Sequence, residues 1–338
     1  MKPSGRFGRQ PNVPITESKE GIHLKPKVYI DGQEGTTGLR IFERFAGRDD
    51  IEILTIDPAL RKDPDERRRL INASDITFLC LPDAAAKEAV SLVESDHVRV
   101  IDASTAHRTA EGWAYGFPEL SPAHREAIAA GKRIANPGCH ATGFISLVYP
   151  LVAAGILPRD SVVPCFSLTG FSGGGKKMIA QYGDAQRDAA LDSPRIYGLT
   201  HSHKHLPEMQ KVCGLKTAPL FSPIVADYYA GMLVSVPLSA SQLCGVSSLA
   251  QLHECYQDAY AGQKMIRVLP LSAQADVGGF LAANGCAGWD GLEIAVTGND
   301  ERMMICARFD NLGKGASGAA VQSMNIMLGC DEAKGLNL

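Results

Sequence analysis

Cys139 closes the run Asn136-Pro-Gly-Cys, which reads as a tight turn feeding a helix. A thiol there lies near free backbone N–H groups and the positive end of the helix dipole, both of which favour thiolate. A thiolate attacks activated acyl groups, and the same N–H groups can meet the oxyanion that results. None of the other cysteines has this setting; the competing reading of Cys139 is a small buried core residue. A catalytic Cys139 should be alkylated selectively near neutral pH, and a structural one no faster than Cys80. His201, His203 and His205 alternate in a segment that ends at Glu208. They suit proton transfer beside a cysteine, or form a polar loop with incidental histidines. No second ligand cluster supports a metal there.

Three glycine clusters offer close approach to a ligand. Asp31-Gly32-Gln-Glu-Gly35-Thr36-Thr37-Gly38 follows a short apolar run and opens a helical pattern. Such a turn lets backbone approach a pyrophosphate whose charge is met at the helix N-terminus. Its spacing is GxxGxxG rather than GxGxxG, so a plain strand-to-helix turn is the alternative. Asp57 falls where an acid would hold the 2′-hydroxyl of NAD, whereas Arg61, Lys62 and Arg67 could meet a 2′-phosphate; the sequence leaves this open. Thr169-Gly-Phe-Ser172-Gly173-Gly-Gly-Lys176-Lys177 is a phosphate cradle or a hinge. Asp310-Asn311-Leu-Gly-Lys314-Gly315 either sets a helix against a cofactor or packs a helix closely with no ligand.

The elements that would position these groups fall into two patterns. From Lys27, apolar runs over 28–31, 51–56, 76–81 and 98–102 alternate with helical spacing at 39–45, 64–73 and 84–93, the signature of a doubly wound parallel sheet. A helix over 122–131, a strand from Arg133 and a largely apolar helix over 140–154 follow. Beyond Leu157 the period shortens, with strands expected over 162–168, 232–238, 264–269, 279–283, 292–298 and 303–310 and few helices between them. That predicts an α+β domain with a largely antiparallel sheet. A long irregular stretch over 170–223 is uncommon unless functional, and 315–328 reads as a small-residue helix.

The 338 residues are 45% hydrophobic, enough for two domains. With 34 Lys+Arg against 37 Asp+Glu the formal charge is -3, so no basic field points to nucleic acid or an anionic membrane. No apolar run reaches the roughly 18 residues of a membrane span, so a soluble chain is expected. Nine cysteines, with no CxxC pair, argue against a disulfide framework and a zinc site and suit a reducing cytosol. Many of the 34 glycines gather at the turns just described, which marks ligand contact rather than flexibility.

In their order these clusters resemble the N-acetyl-γ-glutamyl-phosphate reductases, NADPH-dependent enzymes of arginine biosynthesis. The most specific parts are Gly32–Gly38, Phe78-Leu-Cys-Leu-Pro82, Tyr115-Gly-Phe-Pro-Glu-Leu120, Asn136–Cys139, His203-Lys-His205-Leu-Pro-Glu208 and Asp310–Gly315. The resemblance implies a Rossmann-type NADP-binding domain over 26–139 and an α+β catalytic and dimerisation domain over 140–309. A helix over 310–338 would return to the first domain, and residues 1–25 would be a flexible extension without signal or transit character. It implies Cys139 as the nucleophile that forms a thioester, His205 as acid/base, and His203 and Glu208 supporting it. Gly32, Gly35, Thr36, Thr37, Gly38, Pro82, Ser104, Asn311 and Lys314 would contact NADP(H). Arg108, Asn136, Ser172, Gly173 and Lys176 would contact substrate or its phosphate. The enzyme would be a cytoplasmic homo-oligomer with no metal. A related acyl-phosphate reductase, acting on aspartyl or aminoadipyl phosphate, and a non-catalytic NADP(H) sensor are the alternatives.

Overall fold

The computed structural model describes residues 25–272 and 278–338; apart from Lys25, the expected extension lies outside them. The first sheet contains β1 (Lys27–Asp31), β2 (Glu52–Leu54), β3 (Ile76–Leu79), β4 (Arg99–Asp102), β5 (Ala114–Tyr115) and β6 (Arg133–Ala135). Its order is β2-β1-β3-β4-β6-β5 and every pairing is parallel. Helices α1 (Thr36–Arg44), α2 (Pro64–Ala73), α3 (Asp83–Ser91) and α4 (Pro122–Ala130) connect these strands. Local chemistry fixes their starts. Asp63 caps α2 by accepting the Asp65 and Glu66 N–H groups with Pro64 in the first turn, and Ser121 caps α4 before Pro122 in the same way. Strand order reverses between β1 and β3, so a cleft opens at their carboxyl ends, the usual ligand position in such a sheet.

Helix α5 (Cys139–Ala153) leads from this sheet into the second. That sheet is formed by β7 (Pro164–Gly170), β8 (Arg195–Ile196), β9 (Leu220–Ala226), β10 (Met232–Ser239), β11 (Ile266–Val268), β12 (Leu292–Gly298) and β13 (Arg302–Phe309). Its order is β11-β12-β13-β10-β7-β9-β8, with parallel pairing only for β11–β12 and β7–β9. One face packs on α5, on α7 (Leu206–Cys213) and on α8 (Leu249–Ala259) around Phe144, Leu147, Met209, Val234, Leu252 and Phe309. The other face is open and apolar: Phe166, Leu220 and Met304 are exposed beside half-buried Leu168, Ile224 and Pro237. The chain then passes through a π-turn at Gly313–Ser317 into α9 (Gly318–Leu328), which packs on α1, α4 and β4 of the first sheet.

Three expectations need correction. The stretch 170–223 is ordered: besides β8, α7 and the start of β9 it holds α6 (Gly175–Gly183), where Tyr182 stacks on Phe171 at 4.5 Å. Its short elements hide behind glycine, lysine and an internal Pro223. Gly279–Ala283 forms no strand, because Gly278 and Gly279 adopt φ +61° and +83° and turn the chain. Helix α8 was not expected; Ser248 caps it, and Tyr256 donates to the Leu147 carbonyl at 2.5 Å.

Candidate active site

A cavity of about 500 Å³ lies where the carboxyl ends of β1 and β3 meet the starts of α1, α5 and α7. Gly35, Thr36 and Thr37 wall one side, Cys139, His203 and His205 the other, and Ser172, Gly173 and Asn311 close it. Gly32, at φ +85°, lies so close to β3 that a Cβ would overlap the Cys80 carbonyl oxygen, and a Cβ at Gly38 would stand 2.5 Å from the Gly32 oxygen. Gly35 precedes α1 with no side-chain cap, leaving its first N–H groups for a ligand. This cradle, with two threonine hydroxyls beside it, fits a dinucleotide pyrophosphate.

Cys139 is the first residue of α5, again behind an uncapped glycine. Burial pushes its thiol above the ordinary range, while Arg108, the His140 N–H and Lys204 pull it down. The helix-terminal N–H thus favours the thiolate, as expected, but desolvation outweighs it. Space around Cys139 is tight. A Cβ at Gly138 would fall 2.5 Å from His205 Nε2 and collide with the Arg108 guanidinium; one at Gly315 would stand 3.1 Å from the Cys139 Cβ.

His205 is buried at the start of α7, its Nδ1 without a partner. Burial, then Arg108, hold its imidazole well below the usual histidine range, so it is neutral near pH 7. His203 Nδ1 accepts the His205 N–H at 3.2 Å, and burial lowers the His203 imidazole to about 4. Glu208 was expected to support the imidazole. It accepts instead from Tyr115 at 2.7 Å, from the Gly138 N–H at 2.8 Å and from Arg108 at 3.1 Å. It secures the turn before Cys139. Arg108 also donates to the Asn136 and Ala103 carbonyls, and Asn136 to Ala316, leaving Asn136 Oδ1 buried and unpartnered at the cavity wall.

Several expected contacts lie elsewhere. Ser104 is buried and donates to Asp102 at 2.7 Å, away from the cavity wall. Lys314 is buried with its ammonium 2.6 Å from both Glu119 Oε1 and Gln322 Oε1, so a protein network rather than a cofactor meets it. Pro82 and Lys176 are exposed and outside the cavity wall, as is His201, which sits in a turn at φ +52°. Ser172 and Asn311 do meet, Nδ2 donating to Oγ at 2.9 Å. Lys204, Tyr197 and His140 were not among the expected site residues. Lys204 and Tyr197 line the cavity, and His140 joins Tyr197 (2.5 Å) to Ser167 (2.6 Å). Two of them had a signal in plain view, since Lys204 lies between the paired histidines and His140 follows Cys139.

Two family models set the class. One described as semialdehyde dehydrogenase, NAD binding domain, matches residues 59–129, and one described as semialdehyde dehydrogenase, dimerisation domain, matches residues 139–311. The fold is shared with aspartate semialdehyde dehydrogenase II of Vibrio cholerae (15% identity, TM-score 0.67, covering 90% of this chain and 98% of that one). It is shared also with the Francisella tularensis aspartate semialdehyde dehydrogenase (13%, TM-score 0.68, 90% and 100%). Curated relatives are nearer in sequence. N-acetyl-gamma-glutamyl-phosphate reductase 2 of Nostoc sp. is 48% identical over 320 residues, covering 92% of this chain and 99% of its own length. The Brucella anthropi N-acetyl-gamma-glutamyl-phosphate reductase is 48% identical over 310 residues, covering 90% and 99%. The chain belongs to the N-acetyl-gamma-glutamyl-phosphate reductase family.

Proposed function

We propose that the chain reduces N-acetyl-γ-glutamyl phosphate to N-acetylglutamate 5-semialdehyde, releasing phosphate, with NADPH as reductant, as a step of arginine biosynthesis. The observation that carries this is Cys139 at the start of α5, in one cavity with the α1 glycine turn and the neutral His205.

His205 takes the Cys139 proton. The thiolate attacks the acyl carbon, phosphate departs, and a thioester on Cys139 remains. Arg108 and Lys204 hold the anionic phosphate during departure, and the uncapped N–H groups of α5 meet the carbonyl oxygen as charge builds on it. Gly32, Gly35, Gly38, Thr36 and Thr37 would hold the dinucleotide, with Asn311 and the unpartnered Asn136 Oδ1 at its reacting end. When bound, NADPH supplies the hydride that turns the thioester into the semialdehyde. Glu208 keeps Arg108 and the Gly138 backbone in place throughout.

The open apolar face of the second sheet supports a homo-oligomer, a patch of that kind being unusual on a monomer. The nine free thiols suit the reducing cytoplasm. The test is phosphate-dependent NADP⁺ reduction with N-acetylglutamate semialdehyde, run against aspartate semialdehyde and an aminoadipate-derived semialdehyde. Preference for either competitor would overturn the substrate assignment.

A further inference from the structure

The strand register brings the turn after β2 beside the glycine turn. β1 pairs with β2 as Lys27 with Glu52, Val28 with Ile53 and Tyr29 with Leu54, and an Arg61–Glu34 ion pair joins the turn after β2 to the glycine turn after β1. A dinucleotide with its pyrophosphate at the start of α1 puts its adenosine ribose at this turn.

The charges there differ in what they are free to do. Arg67 is buried, its Nε and one terminal nitrogen each 3.0 Å from Asp31 Oδ2 and the other 3.4 Å from Glu88. Asp57 accepts the Ala59 N–H at 2.9 Å, and that bond shapes the turn. Asp63 caps α2. Arg61 and Lys62 remain exposed. Arg61 reaches across to pair with Glu34, which lies between Gly32 and Gly35, the side chains being 49% and 60% exposed. Lys62 makes no ion pair among the described residues.

We propose that Arg61, with Lys62 beside it, is the subsite for the 2′-phosphate of the dinucleotide, and that Glu34 fills this subsite as an internal competitor until the phosphate displaces it. The proposal rests on reading the glycine turn as the dinucleotide site. An exposed carboxylate holds an arginine weakly in water. A phosphate monoester brings close to two charges and three acceptor oxygens to a fork that binds two of them at once. A ribose diol offers neither, so NAD gains nothing by opening the pair.

Calorimetric titration of the full chain with NADP⁺, NAD⁺ and adenosine 2′,5′-bisphosphate tests this without turnover. Arg61→Ala should weaken NADP⁺ and the bisphosphate about tenfold and leave NAD⁺ within about twofold. Glu34→Gln should tighten NADP⁺ by roughly two- to fivefold, an effect that fades at roughly 0.5 M NaCl. Equal losses for both dinucleotides in Arg61→Ala, or no gain in Glu34→Gln, would overturn the proposal while leaving the glycine turn as the cofactor site. A parent chain that binds neither dinucleotide would overturn both.

Discussion

Glu208 Oε1 accepts the N–H of Gly138, the residue before Cys139, at 2.8 Å, while its other oxygen takes Arg108. One buried carboxylate therefore fixes both the backbone that presents Cys139 and the cation beside it. Glu208→Gln keeps an acceptor for Gly138 but leaves Arg108 without its countercharge. Losing one partner of a buried pair costs about 3–5 kcal/mol. Urea unfolding of the variant should show a loss of that order, with kcat falling more than KM rises.

Gly138→Ala tests space alone, because Gly138 has φ -78°, which any residue adopts. The added methyl displaces Arg108 and His205 together. Displacements near 1 Å at reacting groups cost about 100-fold in rate. Steady-state assay should show that loss, and the thermal midpoint should fall by several degrees, because the methyl also overpacks the buried Arg108–Glu208 pair.

Cys139→Ser should fold normally and lose phosphate-dependent turnover, since the hydroxyl lacks the thiolate's nucleophilicity. In the parent, burial holds the Cys139 thiol up. Iodoacetamide labelling of Cys139, followed by peptide mass spectrometry, should therefore still be climbing at about pH 9 rather than levelling near neutrality. Lys204→Met removes a cation that lowers the thiol and should move the curve to higher pH.

Acid should weaken the fold through the histidines of the site. Burial is the first cause that lowers His140, to about 3, His203, to about 4, and His205. On acidification the unfolded chain takes up these protons first, at about pH 6.5. The stabilisation is complete above that pH and declines as pH falls toward the folded values. The slope is about 1.4 kcal/mol per pH unit for each group. Urea midpoints between pH 7 and pH 5 should fall accordingly, and His140→Gln should remove about one proton from the slope.

Placing a charge on the open sheet face probes assembly. Phe166 and Met304 stand on that face, and β10 runs between them. Phe166→Asp with Met304→Asp should reduce the solution mass by light scattering while leaving the cavity walls intact.

Most of the first sheet was legible because β1, β3 and β4 are short, largely buried runs with turn or capping residues between the elements, as at Gly32 and Asp63-Pro64, whereas the two-residue β5 was not. The second domain was less so: β9 carries Pro223 and α6 begins with glycine and two lysines, so packing rather than propensity forms them. Cys139 could be picked out by its place after a turn. The partners of Glu208 could not, because Tyr115 and Arg108 lie 93 and 100 residues away in the chain. For Lys314, the family resemblance implied a cofactor contact, and only the fold supplies Glu119 as its partner.

That buried lysine bears on how the C-terminal segment can be followed in solution. Lys314 is 1% exposed and sits at the joint between the second sheet and α9. Amine-acylating reagents cannot reach it while α9 is docked, so its acylation rate clocks the transient release of that helix. The native chain thus carries its own timer for opening at the seam between its halves.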